Sequence, residues 1–112
     1  MTVFTGMKGD RLGEFEELML LAIRALEPPV YAVPVQRFIA KTTGRDVVMG
    51  AVYAALDRLE QKGLVRSTMG EATPEPGGKR KRLFVVTPEG MRMLKELRRV
   101  RERIWRAIEE RQ

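Results

Sequence analysis

Lys79, Arg80, Lys81 and Arg82 place four cations in a row, and no other basic run in the chain is as long. Ammonium and guanidinium groups at that density bind phosphates when they sit beside a nucleic-acid-reading element; otherwise they are a solvated run that keeps an edge strand from pairing with other chains. A second set of binding groups is Tyr53, Arg58 and Gln61. The phenol and the guanidinium can donate to phosphates, and the amide can both donate and accept.

Covalent chemistry has much less to work with. The 112 residues include no His and no Cys. Ser-His-Asp and Cys-His nucleophile systems are excluded, as are Cys/His zinc sites and disulfides. The carboxylates show no metal-ligand spacing, and Gly77-Gly78 is not followed by the helix that a phosphate loop needs. The expectation is a binding protein without cofactor, metal or catalytic residues.

Composition points the same way. Lys and Arg number 21 against 15 Asp and Glu, a formal charge of +6, and Arg outnumbers Lys by 15 to 6. Arg forks match phosphate and guanine edges better than Lys does, so nucleic acid is the first partner to consider. At 44% hydrophobic residues a single packed domain is within reach, with only 6% aromatics to fill it. No signal peptide and no apolar run of membrane-spanning length is evident, so a soluble cytoplasmic protein without membrane contact is expected.

The elements that must carry these groups can be read from periodicity. Residues 1–10 read as a flexible arm. Phe15, Leu18, Met19, Ala22, Ile23 and Leu26 form one face of a helix, with Glu14, Glu16 and Glu17 in its first turn and Pro28-Pro29 at its end. Val35, Phe38 and Ile39 mark a second helix over about Val33 to Thr42, with Pro34 tolerated in its first turn. Val47-Val48 is either a one-pair strand or an extended link. A third helix, about Met49 to Lys62, buries Val52, Ala55, Leu56 and Leu59 and stops at Gly63. Leu64–Met69 alternates as a strand does and Leu83-Phe84-Val85-Val86 reads as a second strand, the two joined by a Pro- and Gly-rich basic tip. Thr87-Pro88 starts a last helix that runs near to Gln112, about 24 residues or roughly 36 Å.

The fold class expected is mainly α with a small β-hairpin: a winged helix-turn-helix over residues 11–87, plus a C-terminal dimerisation helix over 88–112. The third helix would enter the DNA major groove, with Gly50, Ala51, Tyr53, Ala54, Asp57, Arg58 and Gln61 on its outer and lateral faces. Small residues at Gly50, Ala51 and Ala54 allow close approach. Lys79 to Arg82 would lie in the wing. On the last helix, Leu94, Leu97, Arg101, Ile104, Trp105 and Ile108 would meet a second copy, since so long a helix cannot bury its stripe on three short ones. Trp105 is the single Trp; an interface anchor is its ordinary role, and stacking on a planar ligand is the alternative.

At this point the residues are similar to those of a known family. Leu12-Gly13-Glu14-Phe15-Glu16, Gly44-Arg45-Asp46-Val47, the block from Gly50-Ala51-Val52-Tyr53 to Leu59-Glu60, Gly63-Leu64-Val65, Gly77-Gly78 with Lys79 to Phe84, and Thr87-Pro88-Glu89-Gly90 resemble the PadR-like transcriptional regulators. The likeness is close from Leu12 to Gly90 and loose in the last helix. It implies a homodimeric repressor that binds a palindromic operator on double-stranded DNA. Tyr53 would hold a phosphate, Gly50, Ala51 and Ala54 would face the bases, and Lys79 to Arg82 would form the wing. It also implies release by a small, frequently aromatic effector near the dimer interface. Two features depart from the pattern: one C-terminal helix replaces the long helical domain of the larger subgroup, and Met49 stands where a small or hydroxyl residue usually precedes Gly50. The reading of another class is a winged-helix interaction module whose wing and third helix hold an acidic protein partner.

Overall fold

The computed structural model describes residues 12–71 and 81–111. The expected N-terminal arm and the wing residues Lys79 and Arg80 lie outside them. Four helices and one hairpin follow in the order α1 (Glu14–Leu26), α2 (Ala32–Thr43), α3 (Met49–Gln61), β1 (Val65–Met69), β2 (Arg82–Val86) and α4 (Pro88–Glu110). The fold is the mainly helical winged helix-turn-helix that the periodicity predicts.

Helix α1 is the centre of the core. Its face of Met19, Leu20, Ala22 and Ile23 is sealed from solvent against Val35 and Ile39 of α2 and Val52, Ala55, Leu56 and Leu59 of α3. Phe38, expected on the same stripe of α2, lies at its edge and stays partly exposed. Val47-Val48 is the extended link and not a strand. Val48 is the residue preceding α3, and the Gln36 Nε2 donates to the Val47 carbonyl at 2.7 Å, which fixes the chain as it turns into α3.

The hairpin is antiparallel, with Val65 opposite Val86 and Met69 opposite Arg82. The sequence does not predict its third member. Val30, after the prolines, pairs with Phe84 through two backbone hydrogen bonds of 3.2 and 2.9 Å. The Glu27 carboxylate also accepts from the Val86 N–H at 2.9 Å. The buried inner edge of the wing is thereby tied to the loop after α1.

The turn between α3 and β1 doubles as the base of α4. Gly63, at φ +75°, adopts the left-handed conformation, and the Leu64 N–H reaches back to the Leu59 carbonyl at 3.0 Å. Thr87 caps α4 by accepting from the Gly90 N–H at 3.0 Å while its hydroxyl donates to the Gly63 carbonyl at 2.7 Å. Gly90 packs so tightly that an added Cβ would lie 2.4 Å from the Leu64 carbonyl oxygen.

Only the first part of α4 joins the core. Leu94, expected at a dimer interface, is 7% exposed and packed into the protomer's own core, because it faces α1 in the helix's second turn. From Arg101 to Arg111 every residue is exposed, and the molecule, α4 included, measures 62 × 30 × 23 Å.

Candidate nucleic-acid interface

The α3 residues singled out from the sequence share one surface. Gly50, Ala51, Tyr53, Ala54, Asp57, Arg58 and Gln61 are all exposed, and Val52, Ala55, Leu56 and Leu59 are buried behind them. The cause is spacing: apolar residues recur every three to four positions on one side of the helix. Gly50, Ala51 and Ala54 leave the N-terminal half of the outer row nearly free of side-chain bulk. No acidic residue stands in the first turn and no side chain caps it.

Two cations of the expected set, Arg58 and Arg82, are engaged within the protein. The Arg58 Nε donates to Glu16 at 2.7 Å, and the Lys62 ammonium donates to the other Glu16 oxygen at 2.9 Å. The Gly13 N–H adds a third bond at 3.2 Å. Burial pushes the Glu16 carboxyl up. The bonds from Lys62, Arg58 and Gly13 outweigh it and hold the group below its ordinary value, so it is ionised at neutral pH. A second link, Arg45 to Glu14 at 2.7 Å, joins α1 to the turn before α3, and the Arg45 bond and charge hold the exposed Glu14 carboxyl below its ordinary value.

Arg82 is the other engaged cation. Its guanidinium pairs with Glu60, approaches Asp57 at 3.8 Å and donates to the Ser67 hydroxyl at 2.9 Å. Ser67 in turn donates to Glu60 at 2.7 Å. The guanidinium also lies over the Phe84 ring, 5.3 Å from its centre. Asp57 and Arg82, assigned from the sequence to different elements of one interface, are thus brought together, and they join α3 to the wing. Lys81 points elsewhere, with its ammonium 5.4 Å from the centre of the Tyr31 ring. Sequence patterning missed Glu16, Glu60 and Tyr31. Glu16 is the one that left a signal, as a charge among the apolar positions of α1.

A groove of about 620 Å³ runs between the start of α2, Tyr53 of α3 and the wing. A second, of about 640 Å³, lies between α1 and α4 and is floored by Leu21, Ala25, Met91, Leu94 and Trp105. Arg101, exposed on α4, reaches across its end to Glu17 at 2.9 Å. Beyond it Ile104 and Trp105 are 57% and 61% exposed, with Ile108 on the same face and Leu97 half-buried below. Among the described residues no group of His, Cys, Asp and Glu converges as metal ligands, and no helix is long and apolar enough to cross a membrane.

Comparison with known proteins bears on the family and the fold. The sequence profile of the "Transcriptional regulator PadR-like family" matches residues 20–96. No curated protein matches the chain. Among solved structures, a PadR-like transcription factor from Bacteroides fragilis superposes with a TM-score of 0.72 at 22% identity, covering 88% of this chain and 89% of its own. A PadR family transcriptional regulator from Eggerthella lenta gives a TM-score of 0.65 at 22% identity, over 86% and 79% of the two chains. The PcaV transcriptional regulator of Streptomyces coelicolor, solved in complex with its natural ligand, gives 0.58 at 22% identity, over 87% and 60%. At these identities the structural likeness speaks for the fold.

Proposed function

The chain belongs to the PadR-like family of transcriptional regulators, and from that premise we propose that it is a homodimeric repressor that binds a palindromic operator and is released by a small effector. The observation that carries this reading is the outer row of α3, where Gly50, Ala51, Tyr53 and Ala54 are exposed beside the wing. A helix with so little bulk can lie deep in a major groove, with Tyr53 donating to a flanking phosphate and Gln61 and Asp57 further along. Of the basic run, Lys81 and Arg82 stand at the start of β2, and the four cations Lys79 to Arg82 are assigned in this reading to the DNA backbone beside α3.

Two-fold symmetry comes from α4. Ile104, Trp105 and Ile108 lie along one face of its uncovered part, and a second copy would bury them. In the domain division proposed, residues 11–87 read DNA and 88–112 pair the subunits. The groove between α1 and α4, at about 640 Å³, falls within the range of small-molecule sites. Trp105 gives it a stacking surface for a planar, aromatic effector.

Selection of bound duplexes from a random pool tests the reading. The expected result is one enriched, two-fold symmetric sequence with half-sites about one helical turn apart. Enrichment of an asymmetric site, or none, contradicts it. Retention by acidic polypeptide without any duplex binding at low salt would favour an interaction module for acidic proteins.

A further inference from the structure

The groove between α2, α3 and the wing holds the strongest unassigned chemistry in the described residues. Three cations line it, Arg37, Lys81 and Arg82, and no carboxylate does. The groove between α1 and α4 is different in kind, because Glu17 and Glu102 stand among its Arg and Lys residues. The carboxylates that Arg82 holds, Glu60 and Asp57, are not among the described residues that line the first groove.

The cations also differ in availability. Arg58 and Arg82 already have carboxylate partners in Glu16 and Glu60. Arg37 and Lys81 form no ion pair with a described residue. Lys81 instead rests over the Tyr31 ring, an arrangement that orients an ammonium and leaves its full charge in place. Tyr31 and Tyr53 both expose part of their rings here, so two phenol hydroxyls border the same space.

We propose that this groove seats a segment of the phosphate backbone of duplex DNA, with Arg37, Lys81, Tyr31 and Tyr53 as its phosphate ligands. Of these, Arg37 and Tyr31 add a second helix and its preceding loop to the contact surface. The inference rests on the DNA-binding reading and names the part of the protein that grips the strand. When α3 lies in the major groove and the wing reaches the flanking groove, the backbone that separates the two grooves must cross the protein between those elements. That position is occupied by this groove. Phosphates are present at every sequence, so these four residues set affinity and register, while the rest of the α3 row sets sequence preference.

The experiment is binding of the full chain to a selected operator duplex and to a random duplex across a salt series. Each lost phosphate contact lowers the slope of log affinity against log salt by about one. Arg37→Ala and Lys81→Ala are each expected to show that drop on both duplexes, and Arg37→Lys to retain the slope. Tyr31→Phe should weaken both duplexes several-fold with the slope unchanged. Arg92→Ala, which removes a cation from the start of α4, controls for net charge and should leave the slope as it is. Slopes for Arg37→Ala and Lys81→Ala equal to that of the parent overturn the groove assignment while leaving the DNA-binding reading intact. A parent chain that binds no duplex overturns both. If Arg37→Ala abolishes binding to polyglutamate and spares DNA, the groove belongs to an acidic peptide and the proposal is wrong.

Discussion

The Nε of Arg58 donates to the Glu16 carboxylate at 2.7 Å, so a guanidinium on the outward-facing helix is anchored to the first turn of α1. With Lys62 on the other oxygen, a single largely buried carboxylate fixes the angle of α3 against α1. Glu16→Ala leaves two cations without their acceptor and is expected to reduce stability by about 2 kcal/mol, the range for hydrogen bonds to charged groups. Urea unfolding with an unchanged slope checks it; a loss within error of zero contradicts the anchor.

The same carboxylate gives a pH dependence. Its folded value lies below the ordinary 4.5, so protons bind the unfolded chain more readily. The stabilisation is complete above that ordinary value and is lost as pH falls through the folded one. Glu16→Gln should flatten this part of the acid limb. A parent-like acid limb in the variant would remove Glu16 from the account.

Gly90 and Thr87 set the angle at which α4 leaves the body. A Cβ at position 90 would stand 2.4 Å from the Leu64 carbonyl oxygen and 2.7 Å from the Val86 Cγ1. Gly90→Ala is expected to destabilise by about 1–3 kcal/mol through overpacking. Thr87→Ala loses the cap and the bond to Gly63, for about 1 kcal/mol or more. Thermal melts of the two variants are the check, and an unshifted melt for Gly90→Ala contradicts the close approach.

Glu60 holds Arg82 and, through Ser67, the first strand of the wing. Glu60→Gln is expected to free the Arg82 guanidinium for phosphates, raising affinity for random duplex and steepening its salt dependence by up to about one. An unchanged slope would mean that Arg82 stays on α3 through Asp57.

Subunit pairing is tested on the exposed face of α4. Ile104→Asp with Ile108→Asp should convert a dimer of about twice 12.8 kDa into a monomer by sedimentation, since both residues are exposed in the protomer and neither supports its core. A dimer that survives both charges places the interface elsewhere.

Much of this architecture is legible in the sequence because it rests on short-range patterns. The apolar spacing of Val52, Leu56 and Leu59 orients α3, Gly63 ends it, and Thr87-Pro88 starts α4. Contacts between elements are not legible in the same way. Arg58 and Arg82 read as free cations in sequence. They are ion-paired because Glu16, 42 positions away from Arg58, and Glu60, 22 from Arg82, fold against them. Val30 reads as loop, since its pairing with Phe84 joins distant segments. Leu94 belongs to the same hydrophobic stripe as Ile104 and Ile108, and periodicity cannot tell where along α4 the protomer's own core gives way to a partner. Tyr31 carries no pattern at all; its place follows from the wing that brings Lys81 over it.

That the exposed row of α3 reads the operator is tested most directly at Ala54, because it is exposed and lies outside the hydrophobic core. The measurement is the affinity of Ala54→Glu for a selected operator duplex beside the parent chain, with sedimentation and melting run on both. The expected result is at least about a hundredfold loss of operator affinity, near 2.7 kcal/mol, from a carboxylate forced against the major groove, with size and melting unchanged. An Ala54→Glu chain that binds the operator as tightly as the parent would contradict it.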